Sequence, residues 1–594
     1  MSRNKNLVVL GTFLLIQLIF YFVYINRSSA NIIFQDQFDF IPILEKLSDG
    51  SLSFSDLWQA HMEHRVLGYN LIVLFNAIFF NTNTIIEMYL GGLVLMVIAI
   101  ILYKPYIRSF KETNNKYVPS AVFLLISCLL FSLIQWENIV LSLGMSIMMR
   151  MMFFIITFIV FDNLIIRGLR KKDIFLLVLS LAINILVFGA GYSPAVVLTC
   201  VVVLIINFFV TPLDRKNTKV ILGLISIASL IFYIVYFHNI YINNLINEDK
   251  SILEKAMHIF SNIFEAMKFF FITLSSSVIG VSIFDKYLSV NFMIVLGCIL
   301  FILIFYFLYL YFREKLYKRS WLPFMLIIYS FMIMGLILLG RFNYALTYGS
   351  SSRYTTDTQY IVIGFLWIVS LVLSHKKSFC KLQLDRTLSI ISIFFVVVSF
   401  AITNVMEWQI SSSRGQYFEN LQTIALNIDK ATDKELSQFQ YPPDIVKYGL
   451  VSLRNNSLNV YHENMGNTQG SYLYEKNIAG ISGWYENDES EARWTKKEVE
   501  FKVQSEGRRG SISIQAYVPK YLHNTQIIVE VNGSMIMQKI FEEGENKIDI
   551  PISKDEMYIK LIQSKTFVPK DHGVNDDIRD LGILVKKIEI IPVL

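Results

Sequence analysis

The sequence predicts a mainly α-helical polytopic membrane protein that ends in an extracytoplasmic β-sandwich domain of the jelly-roll type. The first observation is composition: 54% of the 594 residues are hydrophobic, 17% are charged and the mean hydropathy is +0.49, which is too apolar for a soluble chain of this length. The second is a series of apolar segments of about 20 residues, each long enough to cross a bilayer. The third is a C-terminal run of short segments that alternate apolar and polar residues, as half-buried strands do.

The apolar segments fit about eleven membrane spans. No small-residue cleavage signature follows the first of them, so we expect it to be a retained helix rather than a signal peptide. The spans lie near residues 7–25, 84–103, 118–135, 144–165, 173–190, 194–211, 219–238, 289–312, 321–340, 357–374 and 387–406.

Every second loop between these spans is rich in Lys and Arg. The alternate short loops, around Glu137 and Gly191, contain neither residue type. By the positive-inside rule the basic loops and the N-terminus are cytoplasmic, so the C-terminal part is expected outside the cell membrane. The basic residues are Arg3, Lys5, Lys104, Arg108, Lys111, Lys116, Arg167, Arg170, Lys171, Lys172, Arg215, Lys216, Lys219, Arg313, Lys315, Lys318, Arg319, Lys376, Lys377, Lys381 and Arg386.

Two further apolar segments fit a span less well. The apolar segment 66–80 is short for a span and is interrupted by Asn70 and Asn76, so we interpret it as a re-entrant or juxtamembrane helix. Residues 258–284 include Glu265 and Lys268 and favour an amphipathic helix at the interface.

Composition divides the chain into three regions. Residues 1–406 form the predicted transmembrane domain, with a long outer loop at 26–83 and an outer amphipathic segment at 239–288. Residues 407–479 have the composition of a soluble, helical linker. Residues 480–594 form the predicted β-sandwich, in which Asn532-Gly533 marks a hairpin turn.

The first outer loop contains two carboxylates directly beside the membrane. Asp36 and Asp39 are three residues apart and share one face if the turn is helical. One of them can serve as a general base while the other positions a substrate or a metal. Alternatively, Asp39 caps the helix that contains Pro42 and Asp36 is simply solvated.

A dense polar cluster follows in "HMEHR", residues 61–65. Ser53 or Ser55 can cap a helix that continues through Trp58 to Arg65, and such a helix places His61 and His64 on one face. These histidines, with Glu63, either line a substrate pocket or hold a divalent ion, while Arg65 can pair with a phosphate. The spacing matches neither of the HExxH and HxxEH zinc motifs.

Two more polar clusters are expected on the outer side. "QWENIV", residues 135–140, places Glu137 and Asn138 at the end of the third span. Arg341 and Arg353, followed by Tyr354, bracket a Gly/Ser-rich loop that suits a phosphate group. The alternative is snorkelling of both arginines to lipid. Arg150, within the fourth span, is expected to face the bundle interior, with Glu137 as a candidate partner.

The motifs "DQFDFIP…LSFSDLWQAHMEHR", "QWENIV" and "GR…SSRYTT" resemble those of bacterial GT-C superfamily glycosyltransferases, which use polyprenyl-phosphate sugars. The resemblance is to a branch found in envelope-polysaccharide loci, where "HNEHR" is usual; here Met62 replaces the Asn. In the tail, "GWYENDESEARWT" and "TFVPKDHGVNDDIRDLGILVKKIEI" resemble a sandwich module of bacterial glycan-assembly proteins.

The resemblance implies inverting transfer of a sugar from a polyprenyl phosphate to a glycan acceptor at the outer face of a bacterial inner membrane. Asp36 or Asp39 would be the base, and Arg341, Arg353, Tyr354 and Arg65 would bind the donor phosphate. His61, Glu63, His64, Glu137 and Asn138 would line the pocket. Independently of the resemblance, the tail offers Trp484, Tyr485, Trp494 and Arg579 as candidate glycan contacts, because aromatic faces pack on sugar rings; the alternative for Trp494 is a place in the core. No cofactor is certain, a divalent cation (Mg²⁺ or Mn²⁺) stays open, and no nucleic-acid partner is expected.

Two other classes of function stay open. A lipid or glycan transporter or flippase also spans the membrane many times, although such proteins more often show internal repeats and broken midplane helices. A non-catalytic glycan-binding scaffold would depend on the tail instead of the aspartates.

Overall fold

Long apolar helices make up most of the chain in the computed structural model. The chain divides into two units, Met1–Asn459 and Val460–Leu594. The long helices belong to the first unit, and a β domain belongs to the second. The predicted fold class, a polytopic α protein with a C-terminal β domain, is therefore confirmed. The structure describes residues 2–61, 64–111, 113, 117–141, 143–211, 215–238, 252–375, 382–463, 478–485, 492–505, 510–554, 556–574 and 577–592.

Within these described residues, ten helical segments are long and apolar enough to cross a membrane. They coincide with ten of the predicted spans. They are Val8–Ser28, Thr84–Arg108, Tyr117–Val140, Leu143–Arg167, Ser193–Val210, Lys216–Phe237, Val290–Arg313, Leu322–Arg341, Ser352–Leu373 and Gln383–Leu426.

The remaining predicted span, 173–190, has a different helical form. An α-helix over Lys171–Ile183 continues directly into a π-helical turn at Asn184–Phe188. Within that turn the buried Nδ2 of Asn184 donates to Oγ1 of Thr157 at 2.5 Å. π-helical turns are rare and occur mostly as single turns within α-helices, so the span is one helix with a local irregularity.

The two ends of the helical bundle differ in their side chains. At the first, the basic end, Nη2 of Arg108 lies 2.7 Å from Oδ2 of the fully buried Asp162, which also accepts from the main-chain N of Trp321 at 2.6 Å. At the other, the site end, the main-chain N of Thr84 donates to Oδ1 of Asn31 at 3.0 Å. Thr84 and Arg108 are the first and last residues of one helix, so these two clusters lie on opposite sides of the bundle.

The connection between the first two long helices lies at the site end. It contains a 3-10 helix (Gln35–Phe40), three α-helices (Ile41–Ser48, Phe54–Leu57 and Leu67–Phe80) and two short strands, β1 (Ala60–His61) and β2 (His64–Arg65). The short apolar helix predicted over 66–80 is present.

The prediction that the helix capped by Ser53 or Ser55 continues through Trp58 to Arg65 is wrong. Ser53 does cap a helix, but this helix ends at Leu57, and β1 and β2 then pair antiparallel with His61 opposite His64. The Arg65 guanidinium donates to the main-chain O of Trp58, the carbonyl that a continuing helix would need for its own ladder. A tertiary contact of this side chain thus competes with the local helical pattern.

The single amphipathic helix predicted over 258–284 is divided into three: Ile252–Ser261, Ile263–Ser275 and Val281–Tyr287. The first break occurs where Nδ2 of Asn262 donates to the main-chain O of His258 at 2.9 Å. The middle helix packs closely on Val290–Arg313, because a Cβ at Gly297 would lie only 2.1 Å from the carbonyl O of Phe271. This segment is therefore packed against the bundle.

One 45-residue helix, Leu382–Leu426, passes through the expected domain boundary at residue 406. Short helices follow and pack on the first connection, with the rings of Phe38 and Phe439 5.8 Å apart. Residues as far as Asn459 consequently belong to the same unit as the long helices. The helices of this unit after Leu426 are Asp433–Leu436, Ser437–Phe439 (3-10) and Pro443–Asn455; the helix Val460–Glu463 begins the second unit.

The C-terminal unit is an antiparallel β domain that nearly closes into a barrel. β4 joins two groups of strands, β3, β6, β7 and β9 on one side and β5, β8 and β10 on the other. It pairs with β3 and β9 along most of its length and with β10 at its start. Alternating buried residues such as Ile512, Ile514 and Ala516 fill the core. The strands are β3 (Ile478–Trp484), β4 (Arg493–Gln504), β5 (Gly510–Val518), β6 (Thr525–Val531), β7 (Ser534–Phe541), β8 (Gly544–Pro551), β9 (Glu556–Gln563) and β10 (Leu584–Pro592).

Candidate functional site

A carboxylate–imidazole pair lies in the first connection at the site end. Oδ2 of Asp39 is 2.7 Å from Nε2 of His61, and the hydroxyl of Tyr441 donates to Oδ1 of the same carboxylate. These three residues are far apart in the sequence. Asp39 lies on the 3-10 helix, His61 on β1 and Tyr441 in the turn before the helix Pro443–Asn455, and the fold brings their side chains into contact. Asp39 therefore receives a hydrogen bond on each oxygen.

The neighbours of Asp39 hold its two partners in place. Phe40 stacks on the ring of His61 with centroids 5.6 Å apart, and Phe38 stacks on the ring of Tyr441 at 6.1 Å. Both Phe side chains are almost fully buried. The sequence Phe-Asp-Phe thus places one acid between two aromatic supports, one for each partner.

These contacts shift the pKa values of the pair in opposite directions. Burial alone would raise the pKa of Asp39, but the hydrogen bonds from His61 and Tyr441 outweigh it and hold that pKa below its ordinary 3.8. The hydrogen bond to Asp39 raises the pKa of His61 above its ordinary 6.5, against the opposing effect of burial. Between about pH 4 and 6.5 the pair is therefore a carboxylate with an imidazolium.

Asp36, the other predicted base, is exposed. Its charge acts through space on both His61 and Tyr441, raising the pKa of each. Among the described residues no hydrogen bond to its carboxylate is found. The structure thus distinguishes the two acids: Asp39 is held by two partners and Asp36 faces solvent.

The Arg65 side chain is buried and holds two main-chain segments together. It is 5% exposed, and its guanidinium donates to the main-chain carbonyls of Trp58, Tyr236 and His238. It also lies over the Trp58 ring, 4.6 Å from the centroid. Because every guanidinium nitrogen already has an acceptor, this geometry does not favour its predicted role in binding a phosphate.

His64 packs on the backbone of a second element. A Cβ at Gly191 would lie 2.5 Å from Cε1 of His64, so only glycine leaves room for the ring. Gly191 lies in the turn between the π-helical segment and the Ser193–Val210 helix. Tyr192, the next residue, interacts electrostatically with Arg150 and Arg341. The hairpin with the histidines therefore contacts a turn whose next residue, Tyr192, is influenced by the charge of Arg341.

Glu137 and Arg353 are partners. Nη2 of Arg353 lies 2.9 Å from Oε1 of Glu137, while Oε2 accepts from the hydroxyls of Ser351 and Ser352 and from the main-chain N of Arg353. Nδ2 of Asn138 donates to the carbonyl O of Arg353 at 2.9 Å. The two predicted clusters, "QWENIV" and the Gly/Ser-rich loop, thus form one polar unit.

Arg341 has a different environment. Its Nε donates to the hydroxyl of Tyr354 at 3.2 Å, and its guanidinium lies within 6 Å of the rings of Tyr344 and Tyr348. No carboxylate is paired with it in the part of the chain that the structure describes. Because tyrosines and not an acid hold this arginine, its positive charge is not neutralised by a neighbouring carboxylate and its Nη donors can bind an anion.

The expected pairing of Arg150 with Glu137 is wrong. Nη2 of Arg150 lies 2.5 Å from Oδ2 of Asp357, whose other oxygen accepts from the hydroxyl of Tyr329 at 2.6 Å. Both charged side chains are buried, and Arg150 also lies 4.0 Å from the Tyr192 ring centroid. Glu137 is already occupied by Arg353, which explains why Arg150 finds its partner on another helix.

Sequence reasoning missed Tyr441, Asp357 and the Glu407–Arg414 pair. Arg414 lies 2.6 Å from Glu407 and 3.8 Å from the Trp136 ring centroid. Asp357 had a recognisable signal, because a carboxylate inside an apolar span needs a cation. Tyr441 had none, since nothing local links it to Asp39.

No group of three or more His, Cys, Asp and Glu side chains able to hold a metal ion is found among the described residues. His61 and His64 lie on facing strands rather than on one helical face, and each contacts a different element. Glu63, which was expected in the same pocket, lies outside the described residues.

In the C-terminal unit the predicted glycan contacts are partly used for packing. Trp484 donates Nε1 to the carbonyl O of Glu500 at 3.1 Å, and Trp494 lies edge-on to Phe567. Arg579 is exposed, pairs with Asp577 at 2.7 Å and lies 5.3 Å from the Tyr485 ring centroid. The two tryptophans therefore support the core, and Arg579 with Tyr485 forms the more accessible surface.

Comparison of the chain with family models, with curated proteins and with solved structures finds no match.

Proposed function

We propose that the chain is a membrane glycosyltransferase that moves a sugar from a polyprenyl-phosphate donor to a hydroxyl of an envelope polysaccharide, teichoic acid or lipid-linked glycan. The observation that carries the proposal is the Asp39–His61 pair at the site end of a bundle of membrane-spanning helices. A positioned carboxylate–imidazole pair is a typical device for accepting a proton from a hydroxyl.

The reaction assigns a role to each side of the site. The acceptor oxygen attacks the anomeric carbon from the face opposite the phosphate, a bond from this carbon to the acceptor forms, and the bond to the phosphate oxygen breaks. The acceptor proton passes to the Asp39–His61 pair. Negative charge develops on the leaving polyprenyl phosphate, and we assign Arg341 to neutralise it, because no acid is paired with this arginine in the described residues.

Arg353 and Glu137 shape this anion site. Arg353 is 39% exposed at its side chain, and the bond to Glu137 uses one nitrogen of its guanidinium. The pair fixes the loop before Tyr354, which in turn holds Arg341. Arg353 therefore adds positive charge to the anion site and, through its bond to Glu137, fixes the conformation of the loop.

The distribution of basic residues supports an extracytoplasmic site. The basic end of the bundle carries the loops that the positive-inside rule assigns to the cytoplasm. The site end is then the outer face, where a polyprenyl-linked sugar and a growing envelope glycan are both accessible.

The proposal is tested by deleting the gene in its host and comparing envelope glycans with and without a plasmid copy. Loss of one sugar substituent, with accumulation of its polyprenyl-phosphate precursor, supports a transferase. Unchanged glycans and lipid-linked sugars in the deletion strain would contradict it.

The alternative is a lipid or glycan transporter, and the buried Arg150–Asp357 pair favours it, since ionisable side chains within membrane spans often mark a transport path. Purified protein in vesicles separates the two functions. A transporter moves a labelled polyprenyl-phosphate sugar between leaflets without consuming it, whereas a transferase cleaves it when an acceptor is supplied.

A further inference from the structure

A small cavity lies beneath the first connection, between the helices Ile41–Ser48, Leu67–Phe80 and Thr84–Arg108. Its volume is about 20 Å³, enough for one water molecule or one metal ion. Apolar side chains form part of its wall. Six of the lining residues carry a side-chain oxygen: Gln37, Tyr69, Asn76, Thr82, Thr84 and Glu87.

Two of these oxygens are buried without a hydrogen-bond partner in the described part of the chain. Oδ1 of Asn76 and Oγ1 of Thr82 are both in this state, and the two residues are 3% and 7% exposed. Burying a polar atom without a hydrogen-bond partner is costly, so two such atoms at one cavity call for a ligand.

The orientation of the Asn76 amide is fixed by its neighbours. Its Nδ2 donates to the carbonyl O of Asn83 and to Oε2 of Glu87, both at 3.1 Å. In the flipped orientation Oδ1 would face these two acceptor oxygens and repel them, so the flip is excluded. The unpaired atom of Asn76 is therefore its oxygen, an acceptor. A ligand for it must be a donor or a cation.

Glu87 adds a carboxylate to the same wall. It is 4% exposed and lies in the first turn of the Thr84–Arg108 helix, where the helix dipole favours negative charge. Gln37 and Thr84 add further neutral oxygens. Carboxylate, amide and hydroxyl oxygens together are the ligand set of hard cations.

The size of the cavity selects among these cations. Mg²⁺ usually keeps several of its waters, and about 20 Å³ leaves no room for them beside the ion. Ca²⁺ takes six to eight oxygen ligands in flexible geometry, and carboxylate and carbonyl oxygens of the protein can supply most of them, with water completing the set. We propose that Asn76, Thr82 and Glu87 form a Ca²⁺ site that fixes the first connection onto the Leu67–Phe80 and Thr84–Arg108 helices.

The cation would act on structure rather than on transfer, and the inference does not depend on the proposed function. Thr82 lies in the turn between these two helices, and its carbonyl O accepts from Nδ2 of Asn459 at 2.8 Å. Phe40, next to Asp39, lines the cavity from the other side. A bound cation would thus stabilise the floor under the Asp39–His61 pair.

The test is thermal unfolding of the full chain in detergent after EDTA treatment, with CaCl₂, MgCl₂ or NaCl added. We expect millimolar Ca²⁺ to raise the Tm by about 2 °C or more and Mg²⁺ to have little effect. A rise with NaCl alone would overturn the assignment to Ca²⁺ in favour of a monovalent ion. An equal Tm under all three salts would overturn the site itself and leave a water molecule in the cavity.

Two variants make the result specific. Glu87→Gln should abolish the Ca²⁺-dependent shift, whereas Glu265→Gln, at an exposed carboxylate of the same unit, should keep it. Thr82→Val removes a hydroxyl that has no hydrogen-bond partner in the described residues, so it should fold without Ca²⁺ and still show a smaller shift. A full Ca²⁺ shift in both Glu87→Gln and Thr82→Val would contradict the proposal.

Discussion

Nε2 of His61 lies 2.7 Å from Oδ2 of Asp39, although 22 positions of the chain separate them. This contact joins the 3-10 helix Gln35–Phe40 to the hairpin of β1 and β2. It joins two polar residues into one hydrogen-bonded pair, and under the proposed function this pair accepts the proton of the acceptor.

The stability that the pair contributes should depend on pH. The raised pKa of His61 makes its contribution complete below pH 6.5 and lost as the pH rises through the folded-state pKa. The lowered pKa of Asp39 makes its contribution complete above pH 3.8 and lost as the pH falls through its own folded-state value. The Tm difference between wild type and His61→Gln should therefore be largest between these two values and decrease above pH 7. A difference that grows from pH 6 to 9 would contradict the pairing.

The spans and the strands could be predicted from the sequence because apolar length and period-two alternation are local signals. The hairpin at residues 60–65 could not, because the contacts that hold Arg65 come from Tyr236 and His238, far along the chain. The same reason applies to the site. Local pattern marked Asp39, His61, Glu137 and Arg353 as unusual, but which residue pairs with which is a tertiary property.

Gly191 should be intolerant of a side chain. Alanine there would place Cβ 2.5 Å from Cε1 of His64, so the hairpin must shift, at a cost of about 1–3 kcal/mol in unfolding free energy. Gly223→Ala is the matched control, because nothing lies within 4 Å of a Cβ there and the Arg215–Phe237 helix should gain about 0.5–1 kcal/mol. Chemical denaturation in detergent measures both. Equal stability of the two variants would show that the contact between Gly191 and His64 is not tight.

Arg341 should dominate binding of the lipid phosphate under the proposed function. Losing a charge-assisted hydrogen bond typically costs about 1.5–3 kcal/mol, so Arg341→Gln should weaken polyprenyl-phosphate binding about 10- to 100-fold. Arg341→Lys should lie between, because lysine keeps the charge without the planar fork. The control is Arg454→Gln, at an arginine paired with the exposed Asp429. Thermophoresis with a fluorescent polyprenyl phosphate measures the affinity, and wild-type affinity in Arg341→Gln would exclude this residue from the anion site.

The core of the C-terminal unit should follow its alternating pattern. Ile514 on β5 is 1% exposed, so Ile514→Ala should lower the unfolding free energy of this unit by about 2–5 kcal/mol. Ile540 on β7 is 61% exposed, and Ile540→Ala should change it by less than about 0.5 kcal/mol. Urea unfolding followed by circular dichroism of residues 460–594 compares the two. Similar effects at both positions would mean that the strand faces are assigned incorrectly.

The most direct test of the account is the rate of sugar transfer by purified Asp39→Asn and His61→Gln variants, supplied with polyprenyl-phosphate sugar and the acceptor identified by glycan analysis. Both variants should still insert and fold, with no more than the pH-dependent loss of Tm described above, while transfer decreases by about 100-fold or more, the usual contribution of a general base. Asp429→Asn, at an exposed acid of the same unit, should keep the wild-type rate. Transfer within a few-fold of wild type in both site variants would contradict the assignment of Asp39 and His61 as the proton-accepting pair.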